Sequence, residues 1–209
     1  MSVKLTWIHH ASFKITSTDA VVYIDPWKIS GSPHDGHVVL ISHAHYDHLS
    51  PQDVAKVARP DATIIGPADA AAKLSGAVAL APGQTHSAGA VTVRAVPAYN
   101  VGKDFHPKAR GWLGLIVSVG GKSVYYAGDT DVIDEMADVG EVDLALLPVG
   151  GTYTMTAVEA AKAAKTLGAE RFVPYHWGDI VGERSDAMHF TRALGERGVL
   201  LDPGGTLEL

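Results

Sequence analysis

Cysteine is absent from all 209 positions, so disulfides, cysteine-bound zinc and thiol catalysis are excluded. Long apolar runs are absent too: none approaches the ~18–20 residues of a membrane span. The opening Met1-Ser2-Val3-Lys4-Leu5-Thr6-Trp7 lacks the continuous apolar core of a signal peptide, so a soluble cytoplasmic protein is expected. Positive charge is in short supply. The 17 Lys and Arg against 23 Asp and Glu leave a net −6, so nothing global recruits nucleic acid or an anionic membrane, a sum that leaves a local basic groove open. Repeats, low-complexity tracts and linker-like composition shifts are missing, so residues 1–209 are expected to form a single domain. Phenylalanine is scarce, at four, whereas histidine reaches eleven. Because histidine binds metals more often than any other side chain and titrates near neutrality, the placement of those residues matters.

Ten short β-rich runs, at 3–8, 13–16, 21–25, 38–42, 63–66, 91–96, 115–119, 123–127, 144–147 and 172–174, mostly end in Gly, Pro, Asp or Asn, as strands do. The first four have no convincing helix between them, which suggests an antiparallel meander. Two helix starts are well marked. Ser50-Pro51-Gln52-Asp53 reads as an N-cap, a first-turn Pro and a capping-box acid; Thr156-Ala157-Val158-Glu159 reads as a second capping box, with Gly168 expected to close its helix. Weaker helix candidates lie at 67–74 and 186–195. A meander followed by strands alternating with capped helices predicts mixed α/β layers with helices covering sheet.

His43-Ala44-His45-Tyr46-Asp47-His48 sits between the strand candidate at 38–42 and the helix start at Ser50. Four potential ligands on one strand-to-helix turn can converge on one point, and imidazole with carboxylate suits zinc, iron or manganese. Two further strands end in ligand types: Tyr125-Tyr126-Ala127-Gly128-Asp129-Thr130 delivers Asp129, and Phe172-Val173-Pro174-Tyr175-His176 delivers His176. Three strand ends carrying ligands are what a sheet shows when its edge holds a site.

These residues resemble the metallo-β-lactamase superfamily of binuclear metal hydrolases, nearly end to end. His10-Ala11-Ser12-Phe13, Ile24-Asp25-Pro26-Trp27, Val96-Pro97-Ala98-Tyr99 and Leu147-Pro148-Val149-Gly150-Gly151-Thr152-Tyr153-Thr154-Met155 resemble one branch of it, which contains the L-ascorbate-6-phosphate lactonase and many metal-dependent hydrolases without an assigned substrate. The resemblance implies a four-layer αββα sandwich holding two divalent metal ions, zinc first, with manganese or iron as alternatives. His43 and His45 would hold one ion; Asp47, His48 and His176 the other; Asp129 would bridge them. A bridging hydroxide would then attack a carbonyl or phosphorus centre.

One position departs from the pattern. The branch usually has a third histidine for the first ion after Pro-Ala-Tyr, and here that place is Asn100. Asn100 could coordinate weakly; His106 is the first candidate to replace it, and His86, expected in a loop before a strand, the second. Asp47, His10 and Asn100 are the residues expected nearest the reacting atoms, and Asp25 a group orienting a ligand imidazole. No role is expected for His34, His37 or His189.

His45 stands where the oxygen-reducing di-iron members of the superfamily carry Glu, which favours hydrolysis. The expected reaction opens an ester, lactone or phosphodiester of a small molecule, phosphorylated if Lys103, Lys108 and Arg110 around His106 meet an anion. The alternatives are a nucleic-acid phosphodiesterase, which no long basic segment supports, and a metal-binding sensor without turnover. Neither a nucleic-acid nor a membrane partner is expected.

Overall fold

Apolar side chains at alternate positions, such as Leu5 and Trp7 or Phe13 and Ile15, turn one face of each early strand inward. The computed structural model describes residues 2–209. Its first half runs β1 (Lys4–His9), β2 (Ser12–Thr16), β3 (Val21–Ile24), β4 (Gly36–Leu40), α1 (Pro51–Val57), β5 (Ala58–Gly66), α2 (Ala68–Ala71) and β6 (Val78–Ala79). The second half runs β7 (Thr85–Ala88), β8 (Val91–Pro97), β9 (Leu113–Val119), β10 (Lys122–Tyr126), β11 (Glu141–Pro148), α3 (Ala157–Ala163), β12 (Gly168–Tyr175), α4 (Arg184–Leu194) and β13 (Thr206–Glu208). A seven-stranded sheet in the order β13-β1-β2-β3-β4-β5-β6 faces a six-stranded sheet in the order β12-β11-β10-β9-β8-β7.

The main core lies between the sheets, where Trp7, Phe13, Tyr126 and Tyr175 are fully buried. Phe13 meets Tyr126 and Tyr175 edge-on at 6.0 and 5.6 Å, the two tyrosines stacking at 4.9 Å. A smaller core of Tyr23, Val39, Ile41, Val54 and Val57 lies between the first sheet and α1, while α3 and α4 cover β11 and β12. These are the four layers of an αββα sandwich. Among the described residues, no helix is long and apolar enough to cross a membrane.

Each of the ten expected runs falls within or across a strand, but four expectations need correction. β3 and β4 pair in parallel, Val22 opposite Val38, so the meander ends at β3. The segment from Asp25 to Asp35 carries the chain back without a helix, so β3 and β4 end on the same edge. Asp53 caps nothing in return for Ser50; its carboxylate accepts from the Lys28 and Ile29 backbone and so pins that crossover. Thr156 and Glu159 do form the reciprocal box, yet α3 stops at Ala163 and Gly168 begins β12, where a Cβ would crowd the Gly140 carbonyl at 3.2 Å. β6, β7 and β13 were not expected; all are short and at most half-buried, so they lack the apolar alternation that marks a strand.

Phe13→Ala removes the ring between the two tyrosines and should cost about 3–5 kcal/mol in urea denaturation. A loss under about 1 kcal/mol would show that the sheets do not depend on this contact.

Candidate metal centre

β1 runs antiparallel to β2, which runs antiparallel to β3, so β1, β3 and β4 point the same way. By the same reasoning β8, β10, β11 and β12 share a direction in the second sheet. Their C-terminal ends deliver His10, Asp25, His43, Asn100, Asp129 and His176 to one edge of the sandwich. His10, Asp25 and His176 have φ of 47°, 44° and 64°, left-handed backbone that costs non-glycine residues about 1–3 kcal/mol and collects at functional sites. Gly128, at φ 69°, lets the chain turn before Asp129; a Cβ there would lie 2.5 Å from the Leu113 carbonyl.

Asp25 is wholly buried and accepts from both sheets. Its Oδ1 takes the Ser42 N–H at 2.7 Å. Its Oδ2 takes the Ser42 hydroxyl at 2.5 Å, His48 Nδ1 at 2.7 Å and the Tyr126 hydroxyl at 2.7 Å. Because the Ser42 hydroxyl donates to Asp25, it accepts from His43 Nδ1 at 2.9 Å. In their neutral forms both rings therefore present Nε2 as a lone pair toward the site.

His106 is oriented in the same way by a different residue. Asn100 Oδ1 accepts from the His106 N–H at 3.0 Å and its Nδ1 at 2.9 Å, while Asn100 Nδ2 donates to the Tyr153 carbonyl. With its oxygen taken twice, Asn100 does not join the cluster of donors; it aims His106 Nε2 instead. His86 lies not in a loop but in β7, on the edge of the second sheet.

His43, His45 and His106 bring donor atoms within 4.8 Å of one another, as do His10, Asp47, His48 and His176. Asp129 touches both groups. Its Oδ2 lies 3.3 Å from His106 Nε2, 3.1 Å from His176 Nε2 and 3.9 Å from His43 Nε2, and its Oδ1 lies 3.4 Å from His48 Nε2. Asp25, His43 and His48 also lie within that reach, but Asp25 is saturated by its donors. His10 Nε2 meets Asp47 Oδ2 at 3.2 Å, and its ring packs 4.2 Å from that of His176.

The donor set fits divalent ions. His48 Nε2, His106 Nε2, His176 Nε2 and Asp129 Oδ1 are buried with no hydrogen-bond partner, and leaving such groups unpaired costs about 1–3 kcal/mol each. Lone pairs converging on a carboxylate are what a cation requires.

Several residues at the site were not singled out from the sequence. Trp112 packs 4.9 Å from His43 and 4.7 Å from His45, its Nε1 held by Asp69. Tyr46, Phe105, Tyr153 and Ile180 line a cavity of about 230 Å³ whose inner wall holds His45, Asp47, His106, Asp129 and His176. Tyr46 lies within the His43–His48 motif and Tyr153 within the Leu147–Met155 motif; a Cβ on Gly150 would sit 2.5 Å from the His176 carbonyl, so this loop closes against the site. The basic residues around His106 are otherwise engaged. Lys103 binds Asp131 at 2.5 Å and the Thr154 carbonyl, Lys108 binds Glu135 at 2.7 Å, and Arg110 lies over Trp112.

Comparison with known proteins agrees with this geometry. The model of the beta-lactamase superfamily domain matches residues 4–176. A UPF0173 metal-dependent hydrolase of Thermococcus kodakarensis is 33% identical over 228 aligned residues, covering 99% of this chain and 100% of that protein. Among solved structures, a Parabacteroides distasonis protein superposes with a TM-score of 0.82 at 32% identity, over 95% of this chain and 91% of that one. Igni18, a metallo hydrolase from Ignicoccus hospitalis, does so at 0.81 and 27% identity, over 100% and 99%. The chain belongs to the metallo-β-lactamase superfamily. It is a metal-dependent hydrolase.

Burial, helped by His48, pushes His43 well below the usual imidazole range, and burial lowers His45 and His10 as well. Rings kept neutral in the fold but free to protonate when unfolded withdraw stability as pH falls below about 6.5. His48 has the opposite sign. Burial opposes its charge, but Asp129 and Asp25 outweigh burial and hold it well above the usual range. Its contribution is complete below the unfolded value and lost as pH rises through the raised one. With three rings against one, the urea midpoint of the metal-free chain should fall between about pH 7 and pH 5. A midpoint that rises on acidification would contradict the neutral assignment.

Proposed function

We propose that the chain hydrolyses an ester, lactone or phosphodiester of a small molecule, using two divalent ions, zinc first among them. The observation that carries this is Asp129, whose two oxygens reach within 4 Å of ring nitrogens from both donor groups. His43, His45 and His106 would hold one ion and Asp47, His48 and His176 the other, with Asp129 between them. Bound there, the ions would supply Lewis acidity, lowering the pKa of a water and neutralising charge that builds on oxygen.

The chain's own residues set up that chemistry. Asp25, Ser42 and Asn100 fix which nitrogen each ring presents. Burial opposes ionisation of Asp47, but its hydrogen bond to His10, with the His48 charge nearby, holds it below the usual carboxylate range. Asp47 therefore stays charged beside the cavity, His10 Nε2 donating to it. Trp112 and Tyr153 wall the donors from bulk water, which strengthens every charge interaction inside. A cavity of about 230 Å³ suits a small molecule, and neither the net charge of −6 nor any long basic segment favours a nucleic acid.

Protein purified without added metal or chelator should carry about two equivalents of divalent ion by elemental analysis. Asp129→Ala should lose at least one of them and lower ester or lactone hydrolysis by more than about 10²-fold. One equivalent in the native protein, or activity that survives Asp129→Ala, would rule out the two-ion arrangement.

A further inference from the structure

No Lys or Arg lines the cavity, so no cationic side chain there grips an anionic substrate arm. Among the described residues, the exposed large hydrophobics are Tyr46, Val101, Phe105, Val158 and Ile180, and three of these five line this one cavity. Tyr46 is 67% exposed and Phe105 45%, an unfavourable display of ring surface unless something covers it. Phe105 stands edge-on to Tyr153 at 4.7 Å, and Tyr46 edge-on to Trp27 at 6.0 Å, so the rings are held in place.

Away from the metal ions, a phosphate arm is gripped by an Arg fork, a free ammonium or a nest of backbone N–H groups. Neither Lys nor Arg lines the cavity. The lysines nearby are paired, Lys103 with Asp131, Lys108 with Glu135, and Lys28 with both oxygens of Asp179 at 3.0 and 2.8 Å, while Arg110 lies over the Trp112 ring rather than in the cavity lining. At about 230 Å³ the cavity falls below the ~300–1,000 Å³ of drug-sized sites, which limits the arm to a ring or short chain.

We propose that the substrate is a carboxylic ester or lactone whose arm is uncharged and apolar, an aryl ring fitting best, gripped by Tyr46, Phe105, Tyr153 and Ile180. The same lining offers the phosphate of a phosphorylated sugar lactone no Lys or Arg. This rests on the hydrolase chemistry proposed above, and the test separates the two.

Metal-loaded protein is assayed on a matched pair, a phenyl-substituted butyrolactone and phosphogluconolactone, with kcat and KM measured for each. The expected preference in kcat/KM is at least about 100-fold for the neutral lactone. Phe105→Ala should raise KM for the phenyl lactone about tenfold, the effect of losing one aromatic contact, and leave kcat within about threefold. Phe105→Lys, at an exposed position that the fold does not need, should shift the preference toward the phosphorylated lactone.

Binding is read separately on the metal-free chain, by saturation-transfer NMR with nitrobutyranilide, a neutral amide. Saturation should reach the nitrophenyl protons and vanish in Phe105→Ala. Equal or better turnover of phosphogluconolactone, or no nitrophenyl saturation, would overturn the proposal. Nitrophenyl binding without turnover of any lactone or ester would sustain the apolar site and discard the reaction proposed above.

Discussion

The Asp25 carboxylate is the constraint on which the site depends. It is sealed from water between the sheets and would be costly there without its four donors. Two of those donors come from Ser42 and one from His48, at the end of the first sheet; the last comes from Tyr126, at the end of β10 in the second. The same atom group therefore ties the two sheet edges together and fixes the rotation of His48. Through the Ser42 hydroxyl it fixes His43 as well. Asn100 does the corresponding work for His106, with an amide oxygen in place of a charge.

The fold supplies the convergence those bonds require. Strands that run in one direction end on one edge, and the parallel β3–β4 pair, reached by a crossover without a helix, puts Asp25 beside Ser42. Left-handed backbone at His10, Asp25 and His176 then turns each side chain in at the strand's end. The aromatic core serves the same edge. Tyr126 reaches Asp25, and the Tyr175 hydroxyl holds the Gly128 carbonyl at 2.6 Å, one residue before Asp129. Packing between the sheets and placement of the donors are thus one set of contacts.

Much of this could be read from the sequence, because the informative residues are local. His43 to His48 lie within one turn, and Asp129 and His176 each follow an apolar run that could only be a buried strand. The parts that could not be read depend on contacts distant in the chain. The parallel pairing of β4 with β3 comes with a helix-free crossover that Asp53 helps to hold, which no local pattern records. Asn100 looked like a candidate ligand because its neighbours match a motif; only the fold shows its oxygen occupied by His106. Lys103 and Lys108 looked free until Asp131 and Glu135, about 27 residues away in sequence, came to meet them. The rings at the cavity mouth come from three separate loops, where side-chain type predicts little about position.

The most direct test replaces Asp25 by its isostere. Asp25→Asn keeps the shape but removes the charge and turns one of the two acceptor oxygens into an NH2 donor, so the Ser42, His48 and Tyr126 donors can no longer all be met. Competition titration of the metal-free variant with zinc should show affinity for the ion at the His48 group lowered about 10–100-fold, the usual effect of losing a partner that orients a ligating imidazole. Affinity equal to that of the native chain would show that the cluster is aligned by something other than Asp25.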